Sequence, residues 1–204
     1  MASSFSIALM PRVLLRPKAV FSQLAKDSPS ATGVFFGFAL WLGILPPVFA
    51  YIGAMNFGWR LGVVEPLFFP WYITLGISTA YFGALSFGFL SAAFIARWMA
   101  STYRADVSLG AHFALITVVG APLTMGSVMH LYPHVFLNIV VLVPALIWSM
   151  YLLYTGLPVV LKTDTERGML MASAIIGYLL VALVTLLGIT VMLWSYGIGP
   201  RIGI

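Results

Sequence analysis

Cysteine is absent from this 204-residue chain, and charge nearly so: only 7% of residues are Asp, Glu, Lys or Arg. The first absence excludes disulfides and thiolate metal sites, and says nothing about compartment. The second excludes a water-facing globule, whose hydrated surface needs about a quarter charged residues. With 62% of residues hydrophobic, most of the molecular surface must face hydrocarbon. The net charge of +5 does not indicate a nucleic-acid partner. The ten Lys and Arg are scattered among apolar runs, whereas nucleic-acid binding needs a clustered basic face. "MASSFSIALM" has no positive residue before its short apolar patch and no small-residue cleavage site after it. It therefore reads as part of the mature chain.

The few charges act as boundary markers. None occurs between Asp27 and Arg60, Glu65 and Arg97, Asp106 and Lys162, or Arg167 and Arg201. A helix needs about 20 apolar residues to cross a core of roughly 30 Å. Three gaps fit one span each; the third is nearly twice as long, is interrupted by "HLYPH" and fits two. The expected fold is an all-α integral membrane protein, a bundle of five transmembrane helices near 33–54, 70–95, 109–129, 135–157 and 169–195. Continuous apolar runs without period-two alternation argue against a β-barrel. Ser28-Pro29 and Ser108 supply helix-start signals. Basic residues gather before span one and between spans two and three and spans four and five, leaving only Arg60 and Arg201 on the other side. Positive-inside counting then puts the N-terminus in the cytoplasm and the C-terminus in the periplasm. Trp59, Trp71, Tyr72, Tyr132, Trp194 and Tyr196 are expected at the outer interface, and Trp98, Tyr103, Tyr151 and Tyr154 at the inner one.

Two parts are expected: an N-terminal arm over residues 1–32 and the five-helix domain over 33–204. In "RPKAVFSQLAKD", Pro17 can open a helix that puts Val20, Phe21 and Leu24 on one face and Lys18, Ser22 and Lys26 on another. That pattern predicts a short interfacial amphipathic helix lying on the inner leaflet, its lysines near anionic headgroups.

Inside span two, Gly76, Ala80, Ala84, Gly88 and Ala92 recur every fourth residue. Such a ridge lets a second backbone approach closely, within one molecule or between two. Gly33 and Gly37 form a shorter version in span one. Pro46-Pro47 in span one, Pro122 in span three and Pro144 in span four each remove a backbone donor, which should kink or unwind the helix. Broken helices line substrate sites in transporters, and elsewhere merely shape packing. Gly156 and Pro158 are expected to end the fourth helix just below Tyr154. No Asp, Glu, Lys or Arg falls inside any expected span, so the ionisable group that ion-coupled carriers use is missing; His112, near the inner start of span three, is the sole candidate. His130 and His134 have i, i+4 metal spacing, but Pro133 interrupts the helix and no carboxylate or thiolate stands nearby. A tight turn is the simpler reading. No "HExxH", "GxSxG" or paired intramembrane aspartates occur, so no enzyme and no cofactor are expected.

Taken in order, "RPKAVFSQLAKDSPSATG", "YIGAMNFGW", "SLGAHFALITVVGAPL", "LYPHVF" and "MYLLYTGLPVVLKTDTERG" resemble the Yip family of Ypt/Rab-interacting proteins, in its bacterial inner-membrane branch. The "YTGLP" exit of span four, with Tyr154, Gly156 and Pro158, is the best single marker. The resemblance implies five spans, a cytoplasmic N-terminus and residence in the bacterial inner membrane. For eukaryotic relatives it implies vesicle traffic, prenylated Rab GTPases and hetero-oligomers. This chain lacks a long N-terminal cytosolic region, and Thr117-Val118 stands where a glycine-tyrosine pair is usual. Both departures, and a bacterial host without prenylated Rabs, argue against Rab binding. The expected partners are membrane lipids and other integral membrane proteins or a second copy. The expected role is a non-enzymatic scaffold or accessory subunit acting through lateral helix contacts. The alternative is a small-solute or lipid conduit around Pro46-Pro47 and Pro122, walled by Thr117, Thr124 and Ser127.

Overall fold

A computed structural model describes residues 9–27, 29–60, 65–102 and 107–197. Two short helices, α1 (Met10–Leu15) and α2 (Pro17–Asp27), make the arm. Five long ones follow: α3 (Ala31–Phe57), α4 (Trp71–Thr102), α5 (Leu109–Leu131), α6 (Val135–Leu161) and α7 (Thr165–Ser195). Each is long and apolar enough to cross a membrane, and each covers its expected span to within one residue. Among the described residues extended pairing is limited to two isolated bridges.

α5 is the central rod, touching α3, α4, α6 and both arm helices. Residues 110–118 are buried without a break. α7 has the higher mean hydropathy, 2.5 against 1.6, yet only 6% of its apolar window is buried against 56% for α5. The order inverts what water would impose. Lipid is as apolar as a leucine core, so hydrophobicity does not drive helices inward; small and hydrogen-bonding side chains that allow close approach do. α5 carries Gly110, Ala111, Ala114, Thr117 and Ala121, while α7 is largely Leu, Val and Ile and faces lipid.

Helix ends follow local chemistry. Ser108 caps α5, its Oγ accepting from Ala111 N at 3.3 Å, and Asp164 caps α7 through Arg167 N at 2.9 Å. α3 is capped by Ser30, which accepts from Gly33 N at 3.1 Å. Its partner in the expected pattern, Ser28, lies outside the described residues, as do Tyr103 and Arg201. The cap thus falls two residues beyond the expected one, and the Pro29 carbonyl lies against Gly110.

The prolines do not break their helices. α3, α5 and α6 run continuously through Pro46-Pro47, Pro122 and Pro144. The irregular windings lie elsewhere, in a π turn at Phe35–Ala39 and a 3-10 turn at Ser127–Leu131. A proline at 46 deprives the Leu42 carbonyl of its helical donor. Thr124 Oγ1 donates to that carbonyl at 3.4 Å, so neighbouring α5 restores part of what the proline removes. Pro144 faces lipid.

Candidate functional site

The arm helix forms where Pro17 and the periodicity place it, but its apolar face covers protein. Val20, Phe21 and Leu24 are buried against α6 and α5, while Lys18, Ser22 and Lys26 face away. Gly156 makes this possible: a Cβ there would sit 2.5 Å from the Phe21 ring. The bundle end is the partner of its apolar face, and the lysine-bearing face stays exposed. Gly156 and Pro158 do not end α6 either. The helix continues to Leu161 and stops at Lys162, in the left-handed region at φ 52°, with Thr163 N donating to Pro158 O at 3.1 Å. Within a helix the two serve contact instead: Gly156 admits Phe21, and Pro158 lies against Gly168 of α7, where a Cβ would come within 2.6 Å of its ring. Tyr154 ties the same helices together, its hydroxyl 2.9 Å from Ser173 Oγ. The "YTGLP" motif is thus a junction of α2, α6 and α7.

The small-residue ridge of α4 is mostly open. Gly76 and Ala80 are exposed, Ala84 and Gly88 half-buried, and only Ala92 enters the core. Four residues advance a helix by about 400°, so the row drifts about 160° over its length and winds from the lipid-facing side into the bundle. A Cβ at Gly76, Gly83 or Gly88 would meet nothing within 4 Å. By contrast, Gly53, Gly110, Gly120, Gly156 and Gly168 are each sealed by backbone or a ring. Gly33 and Gly37 sit in the first turns of α3, the latter inside the π turn.

A polar cluster lies at the far end from the arm. The loop after α3 turns at Gly58, whose φ of 67° favours glycine. It then clamps the turn between α5 and α6: Arg60 N donates to Pro133 O at 3.0 Å, and Val135 N to Arg60 O at 3.2 Å. The Arg60 guanidinium sits over the Tyr132 ring at 5.2 Å, and Tyr132 stacks on His134. Trp59 and Tyr132, expected as belt residues, are built into this clamp and half-buried; Trp71, Tyr72, Trp98 and Tyr196 are exposed. Asn138 organises the turn. Its Nδ2 donates to His134 O at 3.0 Å and, more weakly, to Met129 O and Tyr132 O. Its Oδ1 therefore faces His130 Nδ1, at 2.6 Å. An amide oxygen only accepts, so Nδ1 carries a proton; in the neutral ring Nε2 then accepts from the Tyr81 hydroxyl, 3.3 Å away. His130 is thus joined to α4 and α6 rather than to His134. No group of three His, Cys, Asp or Glu that could hold a metal occurs among the described residues. Beside the cluster is a cavity of about 320 Å³, lined in part by Trp59, Ser78, Tyr81, His130 and Asn138. Replacing Asn138 by leucine strands His130 Nδ1, while the three carbonyls keep their backbone donors from Tyr132, His134 and residue 138 itself. It is expected to cost about 1–3 kcal/mol, seen as a lowered unfolding midpoint in detergent.

Sequence reading singled out His130 by its spacing to His134, placed it in a tight turn, and missed its partners. Tyr81 is 49 positions away, and the one available signal was Asn138, the sole carboxamide in the fourth span. His112 is fully buried; Nδ1 donates to Ser108 O at 2.9 Å, and Nε2 has no partner among the described residues. Thr117, Thr124 and Ser127, named as conduit walls, are buried and donate to backbone carbonyls: Thr117 to Phe113 O at 2.6 Å, Ser127 to Thr124 O at 2.6 Å. The far-end cavity is lined by other residues.

Five membrane-length helices with a docked arm and a "YTGLP" junction define a class of polytopic membrane protein, and the comparisons give that class a family. The chain matches the Yip1 domain over residues 12–187 and belongs to that family. It is similar to inner membrane protein YohC of Escherichia coli K12, with 31% identity over 158 residues, covering 78% of this chain and 81% of that protein. YohC of Escherichia coli O6:H1 strain CFT073 is similar to the same extent. No solved structure matches the chain. It is a multi-pass protein of the inner membrane.

Proposed function

We propose that this Yip1-family protein works without catalysis, as a scaffold or accessory subunit that associates laterally in the inner membrane through the exposed face of α4. One observation carries the reading: Gly76, Ala80 and Gly83 are exposed on α4, and among the described residues no other element lies within 4 Å of a Cβ at either glycine. A single open glycine marks no contact, since Gly177 and Gly188 of α7 are as open; what sets α4 apart is the row of small residues at 76, 80, 84 and 88. A second helix gains close backbone approach. The partners in this reading are lipids and another integral membrane protein or a second copy.

The conduit reading draws no support from Thr117, Thr124 and Ser127, which are packed and bonded to backbone. To test association, Gly76→Leu and Ala80→Leu are combined; both sites are exposed, so the fold should tolerate them. Overpacking a helix contact costs about 1–3 kcal/mol, a drop of roughly 5- to 150-fold in association. Mild extraction followed by native mass spectrometry should show the associated species lost while the unfolding midpoint holds. An unchanged assembly removes the proposal.

A further inference from the structure

We infer that the crevice between α3 and α4, at the end of the bundle where the arm docks, holds an acyl chain of an anionic phospholipid whose phosphate sits at Arg97. The inference is independent of lateral association and uses a different stretch of α4.

The crevice follows from how α3 packs. From Leu40 onward α3 lies along α4, whereas its first turn, Ala31–Val34, leans on α5 instead. The π turn at Phe35–Ala39 joins the two stretches. α3 and α4 therefore diverge towards the arm, leaving a groove of about 210 Å³. Among its lining residues Ala93 of α4 and Phe113 of α5 are buried, while Phe36, Leu90 and Phe94 are exposed and form the rim. Of the described residues that line it, Thr32 alone has a polar side chain.

Size and surroundings select the chain. A site for a whole small molecule usually encloses roughly 300–1,000 Å³. This groove is smaller and open at its rim, which suits part of a chain that continues into the bilayer. Left unfilled, its apolar walls would forfeit dispersion contacts. Charge selects the headgroup. Arg97 lies one helical turn beyond Ala93 and Phe94, on the same side of α4. Its charge acts on His112, whose helix neighbours Leu109 and Phe113 line the groove. The guanidinium thus stands at the arm-side mouth. It is exposed, and no carboxylate pairs with it among the described residues. α3 and α5 also begin at this mouth, at Ala31 and Leu109, and helix N-termini add positive potential to that of Arg97. Leu90 is seven residues from Arg97, roughly 10 Å along the helix. A phosphate at Arg97 can therefore send its chain past Phe94 and Leu90 before the chain rejoins bulk lipid. One basic residue at a membrane surface favours anionic lipid about fivefold.

The test places the full-length protein in nanodiscs holding equal amounts of phosphatidylglycerol and phosphatidylcholine with the same chains. Native mass spectrometry then identifies the lipid that stays bound once the bulk is stripped. Phosphatidylglycerol is expected to lead by about five to one or more. Arg97→Gln should bring the ratio near one. Lys18→Gln combined with Lys26→Gln, on the exposed face of α2, should leave it unchanged. Thr32→Phe and Leu90→Trp fill the groove from α3 and α4 at exposed positions, and each should cut the retained lipid about fivefold or more. Glycerol 3-phosphate, which carries the charge without the chains, should not displace it. Four results overturn the inference. One is a wild-type protein with no anionic preference. Another is a preference that survives Arg97→Gln or disappears with the arm lysines. The third is retention unchanged in both groove-filling variants, or in whichever one folds. The last is displacement by glycerol 3-phosphate.

Discussion

Phe21→Ala should release α2 from the bundle, and Gly156→Leu should do so from the opposite side of the contact. Phe21 is 1% exposed and among the largest fully buried side chains. Unlike the lipid-facing residues of α7, it belongs to a helix that would otherwise meet headgroups and water, so the hydrophobic effect operates on it at full strength. Truncating a buried phenylalanine costs about 3–5 kcal/mol. Local opening on that scale lowers amide protection in α2 by roughly two to four powers of ten. Gly156→Leu attacks the same contact by volume, since even a Cβ meets the ring at 2.5 Å. Hydrogen exchange in nanodiscs should show Pro17–Asp27 losing protection while α4 and the far half of α6 keep theirs. Faster trypsin cleavage after the exposed Lys18 and Lys26 is the simpler check.

Gly53→Ala should be nearly as damaging, although it adds one methyl group. A Cβ at Gly53 falls on the His130 carbonyl oxygen, with the Leu131 carbonyl at 2.8 Å. Backbone cannot rotate away as a side chain can, so α3 and the 3-10 turn must separate. That pulls His130 from Tyr81 and opens the clamp. The expected cost is at least about 3 kcal/mol, at the upper end for overpacking, read as a lower unfolding midpoint and poor yield. Gly188→Ala is the control. Nothing lies within 4 Å of a Cβ there, and alanine favours helix by about 1 kcal/mol, so its midpoint should stay level or rise.

These glycines show what was legible in the sequence. The five spans were, because too few charges remain to hydrate anything else and their gaps measure the bilayer. Pro17 and the 20, 21, 24 spacing gave the arm helix and its apolar face. What covers that face was not legible, since periodicity marks a buried stripe without naming its partner. Gly156 looked like a helix terminator because glycine both ends helices and admits close neighbours, and only the position of Phe21 distinguishes the two. Likewise Gly76 and Ala92 belong to one sequence pattern, but helical drift sends one towards lipid and the other into the core. The Tyr81–His130–Asn138 cluster joins three separate segments, and no spacing rule connects them.

The absence of cysteine allows a direct measurement of the lateral face. Single cysteines placed at 76, 80, 83 and 87 on α4, and at 180, 184 and 187 on lipid-facing α7, can each carry a maleimide–benzophenone and be irradiated in native membranes. Protein adducts, to a second copy or to another membrane protein, are expected at the α4 positions with helical periodicity and at background level on α7. Adducts to lipid alone at all the α4 positions, or equal protein adducts on both helices, would contradict association through α4.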